Sequence, residues 1–140
     1  MGFTGQNEFN NFTNWQTTNV GLVIGQDDDF VSFPLSFVPT SDEDVRGVSM
    51  CRPLTMTQIS VYVDANGLGM DITFTMRKNK ADFSPAQILT LTASVAGTYT
   101  LVTSLEYAIL DLFSARIEFD DPAEGGTCNM RNSCVGGRIG

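Results

Sequence analysis

Met70-Asp-Ile-Thr-Phe-Thr-Met-Arg-Lys-Asn79 decides the fold, being apolar at Met70, Ile72, Phe74 and Met76 with polar residues in the gaps. Successive side chains of a strand point to opposite faces, so a period of two predicts a half-buried β-strand. The flanking segments repeat the pattern. Residues 55–63 place Ile59, Val61 and Val63 on one face and Ser60 and Tyr62 on the other. Residues 113–119 alternate through Phe113, Ala115, Ile117 and Phe119.

Between these strands lie turn signals. Asp64-Ala-Asn-Gly-Leu-Gly69 offers Asn66-Gly67, a pair that readily takes positive φ, and predicts a hairpin returning the central strand antiparallel to residues 55–63. Residues 78–82 form another turn. Further strands are expected at 20–24, at 30–38, and at 87–93 with Ile88, Leu89 and Leu91. Two more fall at 97–102 and in the tail from Thr127, where Cys128, Met130 and Cys134 would share one face. Pro34 lacks an amide hydrogen and places the second of these strands at a sheet edge or a bulge. Residues 45–52 read as a weaker extended piece. Leu105, Ala108, Ile109 and Leu112 have helical spacing, in a segment too short to be a helix.

About eight or nine short strands, with turn signals roughly every 8–12 residues, indicate an all-β sandwich or barrel. No long helix is expected to cover a sheet, so two antiparallel sheets must cover each other. The chain of 140 residues divides into an N-terminal arm, residues 1–19, and one β domain, residues 20–140.

Eight basic residues against 16 acidic ones leave a net charge of -8. That field repels phosphate backbones, so nucleic acid is not an expected partner. Arg77, Lys78 and Lys80 form the one close basic cluster and read as a solvated hairpin end. Histidine is absent, which excludes Ser-His-Asp and Cys-His mechanisms and the usual zinc ligand. Three cysteines, Cys51, Cys128 and Cys134, contain no C-x-x-C pair and read as free thiols; Cys128 and Cys134 could alternatively close a short loop.

Neither a secretory signal nor a myristoylation signal is legible at Met1-Gly-Phe-Thr-Gly-Gln6, and no apolar run is long enough to span a bilayer. The expectation is a soluble protein made in the cytoplasm, with no membrane partner.

The plentiful reactive groups are carboxylates: Asp27-Asp28-Asp29, Asp42-Glu43-Asp44 and Asp120-Asp121, all in expected loops. None follows the spacing of a calcium-binding loop, and they read as solvated, so no metal or cofactor is expected. A glycosidase would need two carboxylates about 5–10 Å apart across a cleft. The sequence carries no positive sign of such a pair, and no catalytic residue is assigned. Residues 1–19 instead carry aromatic rings at Phe3, Phe9, Phe12 and Trp15, the last three at every third position. Such rings need burial. They either cap the chain's own core or dock on a neighbouring subunit.

Three pieces of sequence form a larger pattern: Ser41-Asp-Glu-Asp-Val-Arg46 leading through residues 50–63, then Asp71-Ile-Thr-Phe-Thr-Met-Arg-Lys-Asn79 with Leu89-Thr-Leu91, then Leu110-Asp-Leu-Phe-Ser-Ala-Arg-Ile117. Together they resemble a jelly-roll domain of bacteriophage surface proteins, similar in shape to tumour-necrosis-factor and C1q domains. The likeness covers about residues 40–120, and Arg77-Lys-Asn79 is its most specific element. The pattern usually continues Asn-Gly where this chain has Asn79-Lys80, which predicts a wider turn.

The resemblance implies a jelly-roll sandwich forming homotrimers on a virion, as a capsid decoration (cement) protein that docks on the major capsid protein. On that reading Phe3, Phe9, Phe12 and Trp15 form the capsid or subunit interface. The alternative is a receptor- or glycan-binding fibre, spike or tail tip using the loops 27–29, 64–69 and 78–82; a carboxylate-dependent hydrolase ranks last.

Overall fold

A computed structural model describes residues 20–23, 29–33, 40–67, 69–119 and 127–139. Phe3, Phe9, Phe12 and Trp15 lie outside the described residues, as do Asp27, Asp28, Pro34, Asp120 and Asp121. Two antiparallel sheets pack face to face and make the protein an all-β sandwich. In chain order the elements are β1 (Val20–Val23), β2 (Phe30–Val31), α1 (Glu43–Arg46), β3 (Val48–Ser49), β4 (Leu54–Asn66) and β5 (Ile72–Lys78). There follow β6 (Ala81–Asp82), β7 (Ile88–Leu91), β8 (Gly97–Tyr107), β9 (Leu112–Glu118) and β10 (Thr127–Ile139).

The first sheet has the order β1-β10-β4-β8. The second runs β2-β9-β5-β6, with β3 on β9 and β7 on β5. β4 and β5 are thus the middle strands of opposite sheets. The expected hairpin at Asn66-Gly67 does not form, because β4 ends at Asn66 in the first sheet and β5 begins at Ile72 in the second. A crossover lets the apolar face of β4 (Ile59, Val61, Val63) lie over that of β5 (Ile72, Phe74, Met76), and all six side chains are fully buried. The Asn66 side chain is spent on this link, its Nδ2 donating to the carbonyls of Met70 (3.1 Å) and Thr92 (3.3 Å). Asp71 Oδ1 accepts from the amide of Ala93 at 2.8 Å, so the crossover is tied to the segment after β7.

The core follows the alternation read from sequence. Phe113, Ala115, Ile117 and Phe119 all face inward from β9 and its end. Phe74 meets Phe33 edge-on at 5.4 Å between ring centroids, and Tyr107 meets Phe113 in the same way at 5.7 Å. Such T-shaped pairs add to the area each ring removes from water.

Other local expectations are corrected. Residues 43–46 are one helical turn, started by the Asp42 side chain accepting from the Asp44 amide, and only residues 48–49 are extended. Leu105 and Tyr107 continue β8, because both sit on its buried side. In β10 a register shift between Arg131 and Cys134 inserts a residue, which leaves Val135 buried and turns Cys134 off the face that holds Cys128 and Met130. A bulge of this kind reverses the parity beyond it.

The Asn79-Lys80 turn is tight. Lys78 pairs with Ala81 across a two-residue loop whose residues have φ 51° and 66°, the positive pair of a type I′ turn. Among the described residues, no helix is long and apolar enough to cross a membrane.

Truncating Phe74 to alanine should cost about 3–5 kcal/mol, the usual loss for a phenylalanine in a packed core. Ile88→Thr, on a neighbouring strand but 42% exposed, should stay within about 0.5 kcal/mol. Urea unfolding of the two variants reads the contrast, and equal losses would mean that the described inward face is wrong.

Candidate functional site

The outer face of the second sheet carries a polar network where a sandwich ordinarily meets water. Residues of one parity on β5 and β9 build it: Thr73, Thr75 and Arg77 stand opposite Glu118, Arg116 and Ser114. The turn of α1 lays Glu43 across this face. Arg77 Nε donates to Glu43 Oε2 at 2.7 Å and its Nη2 to Oε1 at 3.3 Å, a two-pronged contact matching the planar guanidinium to the carboxylate. The Ser114 hydroxyl hydrogen-bonds to the same carboxylate.

The far side of Arg77 reaches Asp82 at 2.6 Å through Nη1 and the carbonyl of Lys80 through Nη2. Arg116 then grips both oxygens of Asp82 at 3.1 and 3.0 Å and also reaches Glu118 at 3.2 Å. The Phe30 ring lies 5.5 Å from the Arg77 guanidinium carbon, in cation–π range.

These contacts correct two expectations. Glu43 is not a solvated acid: it is 9% exposed. Nor is Arg77 the end of a solvated hairpin, with 12% of its side chain exposed. Only Lys80 fits that description, pairing in the open with Asp44 at 2.7 Å. Burying Glu43 requires a fully satisfied partner set, and Arg77 with Ser114 provides it. Within the loop at 78–82, offered above as a ligand-binding loop, Asp82 and the Lys80 carbonyl bond to this network, while the Lys80 side chain stays exposed.

A second cluster surrounds Asn79. Its amide donates to the Leu112 carbonyl (2.9 Å), its Oδ1 accepts from the Leu112 amide (2.8 Å), and its Nδ2 donates to Asp111 Oδ1 (2.9 Å). Asp111 Oδ2 in turn accepts from the Ala108 amide at 2.7 Å. The β5–β6 turn is thereby clamped to the link between β8 and β9. Beside the clamp lies an open pocket of about 330 Å³ lined by Pro53, Leu54, Lys78, Tyr107, Ala108 and Asp111, among others. Lys78 Nζ reaches the Glu106 carbonyl at its rim, at 3.3 Å.

The electrostatics match the bonding. A side-chain hydrogen bond to Glu43 leads in raising the Arg77 pKa above its ordinary value, against the opposing effect of burial. Burial pushes the Asp82 carboxyl up, but hydrogen bonds from Arg116 and Arg77 outweigh it and hold the group below the ordinary carboxylate value. The hydrogen bonds from Asn79 and the Ala108 amide lower Asp111 in the same way. Burial pushes the Cys128 thiol up to about 12, which makes it a poor nucleophile. All three cysteines carry free thiols, with Cys51 exposed.

Each carboxylate of the first cluster is engaged by a guanidinium, which ties the segments that carry them together. Among the described residues, no group of three or more Cys, Asp or Glu side chains is placed to hold a metal ion. The residues expected to act, Phe3, Phe9, Phe12 and Trp15, are not placed here, being outside the described residues.

Sequence reasoning missed the joining of Glu43, Arg77, Ser114 and Arg116. The outward parity of the last three was legible, but the β5–β9 register that sets them side by side was not.

Arg77→Ala should destabilise the fold by about 3 kcal/mol, since it leaves the buried Glu43 carboxylate without its counter-charge. Adding Glu43→Gln should recover part of that loss, and equilibrium unfolding of the two variants checks both. A second expectation concerns pH. The folded pKa of Asp82 is depressed, so its contribution is fully present above the unfolded value of about 4 and is lost as pH falls through the folded value. Thermal melts between about pH 6 and pH 2.5 should therefore fall less steeply for Asp82→Asn than for the parent chain.

Comparison with known proteins returns neither a matching family model nor a matching curated sequence.

Proposed function

We propose that this chain is a non-enzymatic structural protein of a virion: a homotrimeric decoration protein that docks on a capsid lattice and stabilises it. The reading starts from the resemblance to phage surface jelly-roll domains, and one observation supports it. The residues that carry the resemblance assemble into fastenings of the scaffold. Glu43 of the acidic segment meets Arg77, Asn79 holds Asp111, and Arg116 closes on Asp82. A pattern shared for the sake of a platform should consist of such residues, whereas a catalytic pattern should converge on an open cleft.

On this reading the contacts with the capsid lie away from the network. The aromatic arm supplies them, with Phe9, Phe12 and Trp15 as anchors, because desolvated aromatic rings dominate interface energetics. The acidic balance of the domain suits a protein whose partner is another protein rather than the packaged nucleic acid.

Mass spectrometry of purified source particles provides the test. A decoration protein should be present at high copy number, in a fixed ratio to the major capsid protein. A few copies per particle would assign the chain to a tail or spike, and absence from every particle would overturn the reading. Within the high-copy case, removing residues 1–19 should abolish capsid attachment while the circular dichroism of the domain keeps its β signature. Attachment that survives the truncation would remove the arm from the interface.

A further inference from the structure

Asn66-Gly67 is the one Asn-Gly pair of the chain. Asparagine is a thermally labile residue, and most so before glycine. The glycine nitrogen, which no neighbouring side chain shields, attacks the side-chain carbonyl carbon of the asparagine, and the side-chain nitrogen leaves as ammonia. Hydroxide promotes this step by taking the proton of the glycine nitrogen. The five-membered succinimide that results takes up water at either of its two carbonyls and opens to aspartate or isoaspartate.

The fold treats the two halves of this reaction differently. Gly67 is exposed, whereas Asn66 is only 5% exposed. The nitrogen that would leave is engaged twice, Asn66 Nδ2 donating to the carbonyls of Met70 and Thr92. Asn66 is also the last residue of β4 and pairs with Cys128 of β10, so its backbone is extended. Ring closure must bring the Gly67 nitrogen into line with the Cα–Cβ bond of Asn66, a rotation about ψ away from the extended range. It must also swing the side chain off both carbonyls. The closed crossover opposes each movement, although the side chain that ties it shut is the one the reaction consumes.

We propose that Asn66-Gly67 is a guarded deamidation site: the β4–β5 crossover protects it while closed, and modification of Asn66 makes an opening of the crossover permanent. An ionised aspartate side chain is acceptor-only. At this position it faces the carbonyls of Met70 and Thr92, so two hydrogen bonds are lost and a charge is left against two acceptors. Isoaspartate does more, because it adds a methylene to the backbone and moves the end of β4 out of step with Cys128. Either product releases the segments that Asn66 joins, the start of β5 and the end of β7. The inference stands independently of the virion reading, since the reaction needs only water.

Peptide mapping that separates the asparagine, aspartate and isoaspartate forms tests the proposal. The full chain is held in mildly alkaline buffer, either folded or unfolded in guanidinium chloride. In the unfolded chain Asn66 should be modified before any other asparagine. In the folded chain its modification should be roughly 10- to 100-fold slower, the population cost of breaking two hydrogen bonds. Asp71→Ala removes the bond to the Ala93 amide but leaves the Asn-Gly pair intact. It should quicken the folded reaction several-fold and leave the unfolded rate unchanged. Asn66→Asp, which makes the first product directly, should lower the melting temperature by several degrees.

Equal rates in the folded and unfolded chain would overturn the guarding, as would a folded rate indifferent to Asp71→Ala. Faster modification of another asparagine in the unfolded chain would overturn the site. An Asn66→Asp variant that melts with the parent chain would overturn the permanent opening.

Discussion

Much of the structure depends on the burial of one carboxylate. Glu43 comes from a single helical turn with little stability of its own, and its acid group lies against the outer face of a sheet. A buried carboxylate is tolerated only where counter-charge and hydrogen bonds replace water. Arg77 provides the charge and Ser114 the hydroxyl, from adjacent strands whose register brings them opposite each other. The guanidinium is then held from its other side by Asp82, and Asp82 by Arg116. The segment before β3, the β5–β6 turn and the middle of β9 are thereby joined on a face that alternation alone would leave to solvent.

The clamp at Asn79 does similar work with uncharged groups. Positive φ at Asn79 and Lys80 lets the turn close in two residues, and the Asn79 side chain then has both its donor and its acceptor free to bind residues 111–112. An Asn-Lys turn is less favourable than Asn-Gly in isolation. Here the long-range bonds of Asn79 and the contact from Arg77 to the Lys80 carbonyl compensate for it, which is why the turn stays tight. Arg77-Lys-Asn79 is therefore one structural unit, its arginine facing the network and its asparagine facing the clamp.

These arrangements bear directly on function. Among the described residues, the polar side chains of the network are engaged with one another and tie separate segments of the domain together. Among the described residues, large exposed apolar side chains lie elsewhere, including Ile109 and Leu110 of the β8–β9 link. A frame tied together in this way suits the virion role proposed above.

The sequence by itself determined the strands, their inward faces and most of the core, because side-chain alternation is a local property of extended backbone. Ile72, Phe74 and Met76, or Phe113, Ala115 and Ile117, could be assigned inward without knowing a single strand partner. It also showed Arg77, Ser114 and Arg116 on outward parities. Only the tertiary structure decided which sheet each strand joins. After β4 the chain passes to the second sheet for β5 to β7, back for β8, across for β9 and back again for β10. Alternation is the same whichever sheet a strand enters, so Asn66-Gly67 read as a hairpin when it begins a crossover. The burial of Glu43 was hidden for the same reason. A carboxylate in a polar loop carries no local sign of the arginine, 34 residues away, that meets it only when two particular strands lie side by side.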